Sequence, residues 1–193
     1  MNEQITSIVL AGVGGQGILL ASEISAQAAM LAGYDVKTNE VHGMAQRGGS
    51  VLAQIRYGKK VYSPLVAKGT AKVLMTLEQI EALRFADYLA DDGVCVANSQ
   101  AIIPVTVSSG AAKYPDNAEA MLRDVFKKLV FIDAAKIAIE CGNIRAANTV
   151  LLGAMSNHLD LPAECWLKAI ETAVKGKYAD LNKKAFEAGK SYK

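Results

Sequence analysis

The stretch "IVLAGVGGQGILLASEIS", Ile8 to Ser25, limits the possible folds more than any other part of the chain. The apolar, β-branched run from Ile5 to Ala11 suits a strand buried on both faces, and it ends at glycine. Beyond the turn, Gln16 to Ala32 places Ile18, Leu19, Ile24, Ala28 and Leu31 near helical spacing, and Gly33 stands where a helix C-cap belongs. Gly12, Gly14 and Gly17 fit G-x-G-x-x-G, with Gly15 and Gln16 inside the turn. Such glycines let a pyrophosphate approach a helix N-terminus. They serve equally to pack a helix tightly on its strand with no ligand at all. A dinucleotide also needs an acidic residue about 20 residues on for the ribose hydroxyls, and Glu40, 23 residues past Gly17, is the candidate.

The rest of the chain continues as α/β. Asp35 to Thr38 is a short second strand, and "NEVHGMAQRGGS" reads as a polar loop. Ser50 to Tyr57 alternates as a strand, and Gly58-Lys59-Lys60 is expected to turn it back into Val61-Tyr62 as a hairpin. Lys72 to Thr76 is a strand followed by the helix "LEQIEALRFADYLA". Gly93 to Ala97 and Ile102 to Val107 read as strands, Asn117 to Lys128 as a helix, and Leu129 to Asp133 as one more strand. From Ala134 the signal is wholly helical, broken near Gly142, Leu161-Pro162 and Gly176. The expectation is one domain, residues 1–193, with a mainly parallel sheet, helices on both faces and a helical C-terminal region.

Composition narrows the function. A net charge of +2 is far from the footprint of a nucleic-acid binder. No apolar run approaches the ~18 residues of a membrane span, and the start Met-Asn-Glu-Gln has no basic leader, so a cytoplasmic protein is expected. Cys95, Cys141 and Cys165 stand far apart without a CxxC pair, which provides neither a disulfide framework nor a metal or iron–sulfur site from this chain alone. The hydrophobic fraction of 51%, with 31 alanines, suits closely packed helices and apolar surface covered by a partner chain.

A second motif, "EVHGMAQRGGSV" from Glu40 to Val51, changes the weight of the first. Arg47 offers a planar fork of donors for carboxylate or phosphate, or for a partner's acidic group. Gly48 and Gly49 let backbone N–H groups come close to a bound group, and Ser50 adds a hydroxyl. His42, the loop's histidine, reads as a positioning or interface residue before a general base. Gln16 is balanced between reaching a ligand and capping its own turn. Asn148, polar in an apolar helix, reads as an anchor for backbone. His158 and the methionines on apolar patterns read as packing residues, while Met44 suits a contact with a neighbouring subunit.

Together "AGVGGQGILLASEI" and "EVHGMAQRGGSV" resemble the small subunit of the 2-oxoacid:ferredoxin oxidoreductases, most closely the indolepyruvate type. "AKVLMTLEQIEALRFADYLADDGVCVANS" and "NIRAANTVLLGAM" extend the resemblance over roughly Ile8 to Ala154. It implies an accessory subunit of a complex that oxidatively decarboxylates a 2-oxo acid on Mg-bound thiamine diphosphate. Electrons pass through iron–sulfur clusters to ferredoxin, and an acyl-CoA is released. The thiamine and cluster motifs belong to larger partner subunits, so this chain would be inactive alone. It would contribute no catalytic residue and no metal ligand, but CoA or substrate contacts and assembly surfaces in a hetero-oligomer. Two other readings stand beside it: a free-standing NAD(P)- or FAD-binding protein using Gly12, Gly14, Gly17 and Glu40, and a scaffold whose glycine motifs only build an interface.

Overall fold

The computed structural model describes residues 5–42, 48–111 and 113–193. Six strands form one sheet: β1 (Thr6–Val13), β2 (Asp35–His42), β3 (Ser50–Gly58), β4 (Ala71–Thr76), β5 (Leu89–Asn98) and β6 (Leu129–Ile132), in the order β2-β3-β1-β4-β5-β6. β1, β4, β5 and β6 run parallel, while β3 is antiparallel to both its neighbours, β1 and β2. The mainly parallel sheet read from the sequence is present.

Because side chains alternate across a strand, β1 divides its apolar run between two cores. Ile8 and Leu10, with Val73, Met75 and Val96, face a thick helical layer. That layer holds α1 (Ile18–Leu31), α5 (Ala134–Cys141), α6 (Ala147–Ser156), α7 (Ala163–Ala173) and α8 (Gly176–Gly189). Val9, Ala11, Leu74, Cys95 and Ala97 face a thinner one, where α2 (Gln79–Arg84) contributes Ala82 and α4 (Ala118–Val125) contributes Leu122. A short helix, α3 (Val105–Ser108), lies between α2 and α4 in sequence. In the thick layer Trp166 stacks on Phe186 at 5.9 Å between ring centroids, both fully buried. Burial on that scale contributes about 3 kcal/mol per large side chain.

α6 and α8 cross with backbones touching. A Cβ at Gly153 would lie 2.0 Å from the Phe186 carbonyl oxygen, and one at Gly189 would lie 1.9 Å from that of Val150. No other residue fits either place.

Four local readings change. The second strand runs on to His42, so Asn39 to His42 belong to the sheet rather than to a loop, paired antiparallel with β3. Val61-Tyr62 forms no strand; the Val61 N–H instead donates to the Asp35 carboxylate at 2.9 Å. Ile102 to Val107 is not a strand either, because Pro104 cannot donate to a ladder, and the segment ends in α3. The helix expected across "LEQIEALRFADYLA" is only α2 and a 3-10 turn, Ala86–Tyr88, since Leu89 already begins β5.

Candidate functional site

The chain leaves β1 through α1 toward β2 and β3 on one side, then returns to build β4, β5 and β6 on the other. The strand order therefore switches between β1 and β4. In open α/β sheets such a switch leaves a crevice outside the carboxyl ends of the strands, where ligands bind. The glycine turn, Leu77 and Glu78 after β4, and Gln100 beyond β5 all lie at those ends.

Gln16 organises the turn. Its Oε1 accepts the Val13 N–H at 2.7 Å, while Nε2 donates to the Leu77 carbonyl at 2.8 Å and to Gln100 Oε1 at 3.0 Å. The amide thus ties the ends of β1 and β4 to the segment after β5. Gly12, paired with Val51 of β3, must lack a Cβ because one would sit 2.9 Å from Gln16 Oε1 and 3.1 Å from Leu77 Cβ. Gly17 is the N-cap of α1 at φ +86°, in the left-handed region, and no side chain caps that helix. Asn148 Nδ2 donates to the Gly17 carbonyl at 3.3 Å, anchoring backbone as its place in the sequence suggested.

The structure brings the two glycine motifs together. The Gly14 N–H donates to the Gly49 carbonyl at 2.8 Å, and the Gly48 N–H returns to the Gly14 carbonyl at 3.4 Å. Ser50 does not point its hydroxyl at open space: it donates to the buried Glu81 carboxylate in a very short bond, and Arg84 Nε pairs with the other Glu81 oxygen at 2.9 Å. One turn earlier, Glu78 accepts the Ile80 and Glu81 N–H groups, the Ile102 N–H and the Tyr114 hydroxyl. Burial, and then that bond to Glu78, push the Tyr114 phenol upward from its ordinary range. Glu78 and Glu81 were absent from the sequence-based candidates. The signal available was an acidic residue directly after a strand, at a helix start.

Two cavities flank the turn. One, of about 550 Å³, is walled by Gln16, Asn98, Gln100 and Asn148 and carries Arg145. The other, of about 510 Å³, is apolar, lined by Ile18, Leu19, Leu20 and Val51, with His42 at its wall. Gly15, Gly17 and Leu20 line both. His42 is thus beside the glycine turn. Glu40 is not: it lies on exposed edge strand β2 opposite Ala53 of β3, two strands and ~10 Å from β1. An acidic residue for a ribose is wanted on the strand adjacent to β1, and that place is held by antiparallel β3. Arg47 lies outside the described residues, as does Met44.

A model of the pyruvate ferredoxin/flavodoxin oxidoreductase family matches residues 7–192. The chain belongs to this family. Indolepyruvate oxidoreductase subunit IorB of Pyrococcus horikoshii is 43% identical over 188 residues, covering 95% of this chain and 93% of that protein. Ketoisovalerate oxidoreductase subunit VorA of Methanothermobacter thermautotrophicus is 33% identical over 187 residues, 94% of this chain but 35% of that protein, so the same unit also occurs within a longer chain. The fold is that of the gamma subunit of a keto/oxoacid ferredoxin oxidoreductase from Geobacter sulfurreducens, with a TM-score of 0.69 at 24% identity and 95% of each chain covered. This chain is accordingly a small subunit of the 2-oxoacid:ferredoxin oxidoreductase type, and the free-standing dinucleotide-binding reading is not the one supported. No helix among the described residues is long and apolar enough to cross a membrane.

Proposed function

We propose that this chain, acting as a single domain over residues 1–193, is the accessory subunit of a cytoplasmic, hetero-oligomeric indolepyruvate:ferredoxin oxidoreductase. Its part is to hold CoA and to order the substrate channel against larger subunits. Those larger subunits carry Mg-bound thiamine diphosphate, which supplies the decarboxylating carbanion chemistry, and the iron–sulfur clusters that pass electrons to ferredoxin. The near full-length 43% identity to an indolepyruvate oxidoreductase subunit carries this reading.

The chain's own donors fit that division of labour. Cys95, Cys141 and Cys165 sit on β5, α5 and α7, and burial pushes the Cys95 thiol upward, away from the thiolate that a cluster needs. The crevice beside the glycine turn instead offers amides, backbone and a guanidinium, which are groups for an anionic, hydrogen-bonding ligand. In this reading Gly12, Gly14, Gly15, Gln16 and Gly17 shape the crevice from one side. Gly48, Gly49 and Ser50 hold the turn from behind, and Glu40, His42 and Arg47 are the residues of the second motif left for the ligand or the partner chain.

Co-expression with the native partners tests it. The purified complex should contain a larger chain with bound thiamine diphosphate and clusters, and should reduce ferredoxin in a CoA-dependent reaction that is fastest with indolepyruvate. Omitting this chain should abolish CoA dependence or turnover. Full CoA-dependent activity without it, or micromolar binding of NAD(P) or FAD to it, would sink the proposal.

A further inference from the structure

We infer that Arg145 is the anion anchor of the 550 Å³ cavity beside the glycine turn, taking a carboxylate or phosphate of the bound ligand. The inference rests on the proposed role of this crevice in ligand binding and adds a residue that no motif reading assigned.

The residues lining the 550 Å³ cavity are glycine, aliphatic or amide-bearing except one, Arg145. Arg145 is therefore the one charged residue of the lining, with no carboxylate among the lining residues to neutralise it. Among the described residues it makes no ion pair and no side-chain hydrogen bond, whereas Arg56, Arg84 and Arg123 each have partners. Its backbone is nonetheless fixed. Arg145 sits in a 3-10 turn, Ile144–Ala146, and its N–H donates to the Asn143 side chain at 3.0 Å. Ala146 behind it is buried, and Asn148, one turn on, is tied to Gly17.

The facing wall is equally committed. Gln16 and Asn98 both donate to the Leu77 carbonyl, at 2.8 and 3.1 Å, and Asn98 Oδ1 accepts the Ala134 N–H at 3.1 Å. Gln100 uses its Oε1 to accept from Gln16, which leaves its NH₂ group for an occupant. An arginine and an amide NH₂ lining one cavity, with no acidic residue in its lining, make a site for an oxyanion. Two oxyanions belong to the proposed reaction: the phosphates of CoA and the carboxylate of the 2-oxo acid.

The test uses the assembled complex and three variants of this chain. Arg145→Lys keeps the charge but loses the fork, Arg145→Gln removes the charge, and Ala135→Leu fills the cavity from another lining position. With Arg145 exposed and uncommitted in the protein, the complex should assemble and melt as the wild type does. The KM of one ligand should rise about 5- to 50-fold in Arg145→Gln and by less in Arg145→Lys, with kcat nearly unchanged, as for a screened charge-assisted contact. A rise for CoA alone assigns the anchor to phosphate, and a rise for the 2-oxo acid alone assigns it to carboxylate. Calorimetry of CoA binding to the complex, without turnover, should move in parallel with its KM if phosphate is the occupant. If Ala135→Leu raises a KM and neither Arg145 variant does, the cavity is used and Arg145 is not its anchor, which overturns the inference alone. If none of the three changes either KM, the inference falls together with the crevice as a ligand site. Loss of assembly in the Arg145 variants would also overturn it, since the guanidinium would then pair with a partner subunit.

Discussion

Gln16 shows how a single side chain can hold the mouth of a sheet. Its acceptor and both amide hydrogens are engaged by Val13, Leu77 and Gln100, so the turn is bonded across two neighbouring strands. From the sequence, this residue stood equally between ligand and cap, because its partners lie 61 and 84 positions away. Gln16→Glu keeps size and shape but replaces a double donor by an acceptor aimed at two oxygens. We expect a loss of about 1–3 kcal/mol of stability, measured by urea unfolding. An unchanged midpoint would mean that the amide bonds contribute nothing to holding the turn. Ser50, read from the sequence as a hydroxyl for a bound group, instead gives that hydroxyl to Glu81, 31 positions on.

At the scale of elements, the pairing of α6 with α8 depends on two glycines 36 positions apart in the chain. A glycine inside a helix costs about 1 kcal/mol relative to alanine, so Gly153 within "LLGAM" calls for a packing reason. Its reason is the Phe186 carbonyl 2.0 Å from where a Cβ would stand. Gly153→Ala, usually a gain for an exposed helix, should here force the helices apart. The expected cost is about 3 kcal/mol or more, which for a chain of this size lowers the Tm by roughly 6–12 °C. A variant that melts at or above the wild-type temperature would show that the crossing yields freely. Helical periodicity revealed α6 and α8 separately, but nothing in the spacing of either indicates which helix will meet the other.

At the scale of the whole molecule, one source of acid sensitivity lies at the end of the sheet opposite the glycine turn. His158 lines a groove there with Lys72, Asp92 and Lys128, and its Nε2 is buried with no hydrogen-bond partner among the described residues. Burial first, and the Lys128 ammonium second, hold its imidazole below the usual histidine range. The unfolded chain therefore takes up this proton before the folded one does. The stability that follows is complete above the unfolded value near pH 6.5 and is lost as pH falls toward the lower folded value. Urea midpoints at pH 7.5 and pH 5.5 should differ in the wild type, and the difference should shrink in His158→Gln. Equal pH dependence in both proteins would remove His158 from the account.

By itself the sequence determined the alternation of strands and helices, the glycine turn after β1, the helical C-terminal region and the family, because each is written in local periodicity or in contiguous motifs. Only the tertiary structure decided that β3 inserts antiparallel between β1 and β2, leaving Glu40 two strands from the turn. It also decided that Gly14 meets Gly48 and Gly49, and that Arg145 lines the same crevice. Strand order and the meeting of distant side chains follow from how two faces of one sheet are covered at once. That is a property of the packed chain, and no window of sequence contains it.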